Sequence, residues 1–109
     1  MPEQQHQSIL DAAIHCAREC EHCGDACIGQ MPECAKLCRD CAQMCWTIAA
    51  YISRDSRFIP HIVNSCLNIC QACADECSKH DNEHCQKCAQ ACRRAASEYQ
   101  KVASLAGVA

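Results

Sequence analysis

Cysteines recur along this chain at steps of four, three and four. Cys16, Cys20, Cys23 and Cys27 form one block, Cys34, Cys38, Cys41 and Cys45 a second, and Cys66, Cys70, Cys73 and Cys77 a third. A fourth block holds Cys85, Cys88 and Cys92; four residues upstream, where its first cysteine would fall, stands Asp81. Steps of three and four mix odd and even spacings, so a strand would scatter these side chains over both faces. On a helix the same steps make one seam, the stripe that faces partner helices. Four such seams in one short chain predict an all-α fold: an up-down-up-down antiparallel four-helix bundle with a cysteine-lined core.

The punctuation between the blocks agrees. Ser8 with Asp11 resembles a capping start, and Gly29 followed by Pro32 reads as a stop and a restart. Asp55 and Ser56 are suited to cap the third helix, with Pro60 in its first turn. Asp81 reads as the N-cap of the fourth helix and Gly107 as its end. The expected helices are 8–28, 32–53, 57–79 and 82–106, in one domain spanning 1–109.

Beyond the cysteines the seams continue with other residues. They run through Ile9 and Ala13, through Ile48 and Ile52, through Ile59 and Val63, and through Ala95, Tyr99 and Val102. In an antiparallel bundle all of these fall at one end, beside the 53–57 turn, and every cysteine falls at the other, beneath the 28–33 and 78–82 turns. The expected interior is an apolar plug below a thiol-lined tube.

Such a core is thin. Fifteen of the apolar residues are cysteine, and only four residues are aromatic. Metal binding or oligomerisation is the usual support for small domains of this kind. The net charge of −3 is spread through mixed acids and bases, without a basic stretch that would track a phosphate backbone, so nucleic acid is not an expected partner. "MPEQQHQSILDAA" does not read as a secretory leader, and no segment approaches the ~18 apolar residues of a membrane span. The expected location is the cytoplasm, where thiols stay reduced and cysteine-dense chains bind metal more often than they form disulfides.

Residues three or four apart on one helix face have Cβ atoms roughly 5–6 Å apart. Since a zinc–thiolate bond is about 2.3 Å and a Cu(I)–thiolate bond similar, a linear S–metal–S unit needs sulfurs somewhat under ~5 Å apart. Each i, i+4 pair can therefore clamp one soft monovalent ion, with thiolates of neighbouring helices bridging to the next. Buried thiolates repel one another unless neutralised. Roughly one Cu(I) per thiolate brings the interior near neutrality, and soft sulfur ligands select Cu(I). Zinc, which prefers closed four-ligand sites, remains the alternative, as a structural module. Iron–sulfur ligation in an electron carrier is another, on ligand type alone. Inert core cysteine explains one or two such residues but not fifteen at seam spacing. Disulfides between neighbours on one helix face would be strained. The C-x3-C-x2-C string also matches the cluster motif of radical enzymes that use S-adenosylmethionine, but it occurs three times in a chain too short for their barrel.

With repeated C-x3-C-x2-C-x3-C blocks from Cys16 to Cys92, the chain resembles the bacterial copper storage proteins, specifically their cytosolic branch. The resemblance implies a four-helix bundle holding many Cu(I) ions on its cysteine thiolates, and a homotetramer. It implies storage and sequestration without catalysis, exchanging ions with a copper chaperone or cuproenzyme. Asp81, in place of a sixteenth cysteine, departs from the pattern.

Family members use His or Met near the open end for ion entry. On that ground His80, His84, Met31 and Asp81 are candidate mouth ligands, with solvated turn residues as the competing reading. His15 and His22 lie on an outward position and read as surface residues, His6 and His61 as structural or exposed, and Met44 as packing. Trp46, Tyr51 and Tyr99 are expected to cover the plug or a subunit contact. Arg18, Glu19, Asp25, Arg39, Asp40 and Lys87 fit solvated helix faces, and equally fit ion pairs across a subunit boundary.

Overall fold

The computed structural model describes residues 3–105, with side chains through residue 103. Four helices follow one another: α1 (Glu3–Ala26), α2 (Pro32–Ser53), α3 (Ile59–Cys77) and α4 (Glu83–Leu105). Residues 27–31, 54–58 and 78–82 connect them. Connections this short return each helix antiparallel to the one before. Among the described residues each helix packs on its two neighbours, α1 on α2 and α4, and α3 on α2 and α4. Among the described residues the backbones of diagonal helices stay apart, so a central column is left to side chains, and it is side chains such as Cys38 with Cys88 and Cys41 with Cys92 that meet across it. The bundle measures 40 × 22 × 19 Å.

The helix termini differ from the sequence expectation in instructive ways. α1 begins at Glu3, well before Ser8. Ser8 is no cap: its Oγ donates to Glu98 Oε1 at 2.8 Å and ties α1 to α4. α1 stops at Ala26 rather than residue 28, in a turn whose Gly29 adopts φ 80°, a conformation that suits glycine. Asp55 closes α2 instead of opening α3. It sits at φ 51°, its N–H donates to Ile52 O at 3.0 Å, and the Ser56 N–H donates to Tyr51 O at 3.0 Å. That pair of bonds is a Schellman closure, and Asp tolerates the left-handed position better than most side chains. Ser56 does not cap α3 either: its Oγ accepts from the Phe58 N–H at 3.1 Å, ahead of the helix, whose N-cap residue Phe58 makes no side-chain cap. α3 then runs from Ile59, not 57, with Pro60 in its first turn, and ends at Cys77, two residues short of 79.

Asp81 does not cap α4. Asn82 O takes the first helical bond, from the Gln86 N–H at 3.0 Å, and leaves Asp81 exposed in the connection. The backward extension of the fourth cysteine block therefore has no helical register at that position. The expected stop at Gly107 lies outside the described residues.

Plug and tube are both present. Ile9, Ala13, Ile48, Ile52, Ile59, Val63, Ala95, Tyr99 and Val102 are buried. They lie at the end where His6 Nε2 bonds Ile52 O at 2.7 Å. Small residues bring the helices close along the seams: Ala12, Ala17, Gly24, Ala42 and Ala74 are all buried. A Cβ on Gly24 would stand 3.3 Å from Cys38 Cβ, so this glycine permits the close approach of α1 to α2 beside the thiols.

Candidate metal centre

All fifteen cysteines are free and fully buried. Each helix contributes its seam, and the four seams converge on the axis. Cys20 Sγ lies 3.5 Å from Cys88 Sγ, Cys34 from Cys77 at 3.5 Å, and Cys41 from Cys70 at 3.5 Å. Along single helices the i, i+4 sulfurs of Cys16 and Cys20, Cys23 and Cys27, Cys34 and Cys38, and Cys73 and Cys77 are 3.8–4.0 Å apart. These separations fall within the span of a linear S–metal–S unit, somewhat under ~5 Å.

Fourteen of the fifteen sulfurs fall into five groups of four whose members all lie within 4.8 Å of one another. From the mouth inward these are Cys23, Cys27, Cys34 and Cys85; then Cys23, Cys38, Cys77 and Cys88; then Cys20, Cys73, Cys88 and Cys92; then Cys16, Cys20, Cys41 and Cys92; and last Cys16, Cys41, Cys45 and Cys70. Each group shares at least one sulfur with the next. The result is a continuous ladder from the 27–31 and 78–82 connections down to the plug. Cys66 alone stands outside all five groups, and its thiol donates to the backbone carbonyl of Met44 at 3.5 Å.

With no ion present, burial is the chief influence on the protonation of Cys27, Cys34, Cys66 and Cys85, whereas for the others the neighbouring thiols dominate, raising most and lowering Cys16, Cys23, Cys41 and Cys73. Burial pushes Cys66 from the ordinary 9.0 up to about 12, with neighbouring sulfurs Cys41 and Cys16 adding to the rise. At the mouth, burial followed by the charge of Cys23 pushes Cys85 up to about 12. A thiol whose folded pKa is raised stabilises the fold below its unfolded value, and that stabilisation is lost as pH rises towards the folded value. The empty bundle is thus expected to lose stability between about pH 9 and about pH 12, by about 4 kcal/mol for a thiol shifted as far as Cys66. Circular dichroism melts of reduced protein at pH 8 and pH 11 read this directly, and equal midpoints would refute it.

The mouth residues separate. His84 is half-buried, and its Nδ1 lies 3.5 Å from both Cys23 Sγ and Cys85 Sγ, against the outermost group. His80 points elsewhere: its Nε2 donates to Glu76 Oε2 at 3.0 Å, and its carbonyl accepts from Gln86 Nε2 at 2.6 Å. The His80 side-chain hydrogen bond holds the Glu76 carboxyl below its usual range, opposing burial, with Lys79 assisting. α3 ends too early to carry His80 onto the seam. Met31 Sδ accepts from Asn82 Nδ2 at 3.8 Å, linking the two connections across the mouth. Asp81 is exposed and belongs to no sulfur group.

Of the other histidines, His15 and His22 are exposed and line a groove between α1 and α4 with Arg18, Glu19, Glu83, His84 and Lys87. His22 meets His84 edge-on, centroids 6.4 Å apart. His61 is exposed beside Phe58, and His6 caps Ile52 O. Met44 packs half-buried on the core. Trp46 is exposed and donates to Glu21 Oε2 at 3.3 Å; Tyr51 lies under Arg54. Tyr99 is the residue that sequence reasoning undervalued. It is fully buried, and its hydroxyl donates to Cys45 Sγ at 3.2 Å. Its seam position was legible; the reach of its hydroxyl was not.

The family model for copper storage proteins matches residues 2–104. A curated relative, the uncharacterised cysteine-rich protein YhjQ of Bacillus subtilis strain 168, is 36% identical over 87 residues, covering 75% of this chain and 81% of YhjQ. Among solved structures, the Cu(I)-bound copper storage protein BsCsp3 of Bacillus subtilis superposes with a TM-score of 0.86 at 35% identity, covering 91% of this chain and 98% of that one. The copper storage protein Ccsp of Streptomyces lividans, loaded with 10 copper equivalents, gives 0.87 at 29% identity, covering 93% and 85%. A bundle whose buried axis is a ladder of free thiols, matched over nearly its whole length by this family and its structures, belongs to the copper storage proteins.

Proposed function

We propose that this chain stores Cu(I) along the whole ladder, on the order of one ion per thiolate, with the sulfurs inside the ladder bridging two ions each. The observation that carries the reading is the sharing of sulfurs between successive groups from mouth to plug. Each ion bound displaces a thiol proton, and the charge of the filled core stays near zero. His84 serves as a nitrogen ligand at the outermost group and receives ions there, while His80, Met31 and Asp81 hold no ion. Cys66 contributes least, its thiol being engaged by the Met44 carbonyl.

The protein sequesters copper without catalysing a reaction, receives it from or yields it to a copper chaperone or cuproenzyme, works in the cytoplasm and assembles as a homotetramer. Among the described residues no helix is long and apolar enough to cross a membrane.

Zinc is the competing cargo, because three of the groups share no sulfur: the outermost, the middle and the innermost. Each zinc bound by four thiolates would leave two negative charges uncompensated in a buried core, which disfavours that filling.

Anaerobic titration of Cu(I) into reduced protein tests the proposal. Saturation on the order of 15 equivalents is expected, with Cys88→Ala lowering capacity by about two or more ions and Cys66→Ala by about one or none, because Cys88 joins two groups and Cys66 joins none. Saturation at one to four equivalents, or preferential retention of zinc, would end the copper-storage reading.

A further inference from the structure

The inner end of the ladder is built differently from the rest. Following α4 from Cys92 towards the plug, the seam continues with Ala95 and Tyr99, both fully buried. Tyr99 directs its hydroxyl back at the sulfurs and donates to Cys45 Sγ at 3.2 Å. Cys45 belongs only to the innermost group, with Cys16, Cys41 and Cys70, and its Sγ lies 3.8 Å from Cys70 Sγ. No other hydroxyl bonds a cysteine sulfur among the described residues, and the plug beyond is aliphatic.

We infer that Tyr99 is a positioning residue for the innermost copper site, its O–H holding Cys45 Sγ and ending the ladder there. The inference rests on the copper-storage reading. A sulfur that bridges two ions directs lone pairs at both. On Cys45 one such direction is taken by the phenol. The Tyr99 ring lies on the plug side of this sulfur, so copper meets Cys45 from the ladder side only.

The contact also discriminates between empty and filled states. A neutral thiol is a weak acceptor, whereas a copper-bound thiolate is a charged one, and hydrogen bonds to charged sulfur are stronger. Tyr99 therefore favours the filled state, and by reciprocity filling must strengthen the hydrogen bond of Tyr99. A tyrosine that only packs would feel no such change.

Cu(I) is diamagnetic, so the test uses tyrosine labelled with carbon-13 at Cζ and followed by NMR while Cu(I) is titrated anaerobically into the full chain. Tyr51→Phe, at the half-buried second tyrosine, assigns the Tyr99 resonance by elimination. The expected result is a downfield shift of the Tyr99 signal as the last ions enter, with Tyr51 unmoved and the shift lost in Cys45→Ala. In parallel, Tyr99→Phe is expected to surrender its last ions to a Cu(I) chelator roughly tenfold faster at unchanged helicity, the scale of one charge-assisted hydrogen bond. A Tyr99 signal that ignores loading, or moves equally in Cys45→Ala, overturns the inference even if Tyr99→Phe fails to fold. Equal release rates in a folded Tyr99→Phe overturn it as well. Copper capacity is read in the same titration. A value of four equivalents or fewer sinks the storage reading, whereas normal capacity with a silent Tyr99 sinks only this assignment.

Discussion

Filled with Cu(I), the bundle is expected to unfold at least about 20 °C above its empty form. An ion that binds only the folded state at a free concentration 100 times its dissociation constant adds about 2.7 kcal/mol. The ladder supplies many sites, and only the fold brings their sulfurs within 4.8 Å of one another. Four ions held on those terms contribute about 11 kcal/mol, comparable to the entire stability of an ordinary domain at about 5–15 kcal/mol. For a chain of about this size each kcal/mol moves the midpoint by roughly 4–8 °C. Paired circular dichroism melts of reduced empty protein and of the same protein after Cu(I) loading supply the measurement. Midpoints within a few degrees of each other would mean that the ions are held at the surface and do not lock the core.

The second large effect concerns the empty state. Cysteine is a small apolar side chain, so the tube contributes little burial per residue, and the plug must carry the empty fold. Ile9, Ile48, Ile52 and Val63 are all fully buried there. Ile48→Ala removes three carbons from a packed site and leaves a cavity, a change that costs about 2–5 kcal/mol. The empty variant is expected to melt about 10–20 °C below the parent and to regain most of that loss on Cu(I) loading. Cys73→Ala, which removes one sulfur atom, is expected to cost the empty form about 1 kcal/mol or less. Denaturant unfolding of both empty variants compares the two costs. If Cys73→Ala proves as destabilising as Ile48→Ala, then the thiol tube holds the empty bundle together by itself and the plug is not its anchor.

How far the sequence could be read depends on the kind of signal. Cysteine steps of three and four have one geometric solution, and the same periodicity ran on into Ile48, Ile52 and Val63, so the seams and the division into plug and tube were legible. Capping was less so. Ser8, Asp55 and Asp81 have the right chemistry for N-caps, yet Ser8 bonds across to Glu98, Asp55 closes the preceding helix and Asp81 stays in solvent. A short polar side chain has several backbone and side-chain partners within reach, and local sequence does not rank them.

His80 and His84 make the same point at the mouth. Both are histidines beside the last turn, four residues apart, and nothing local tells them apart. α4 starts at Glu83, which brings His84 against Cys23 and Cys85, while His80 is drawn to Glu76.

The order of residues alone determined that this chain makes four amphipathic helices with sulfur on their inner faces, because helical periodicity is a property of spacing and needs no partner. Only the tertiary structure decided which sulfurs share a group, that Cys66 belongs to none, that His84 rather than His80 lies against the outermost sulfurs, and that the Tyr99 hydroxyl bonds Cys45. Those outcomes depend on the relative shift of one helix along another. That shift is set by packing of Ala, Gly and Ile side chains summed over the whole bundle, and no single stretch of the chain contains it.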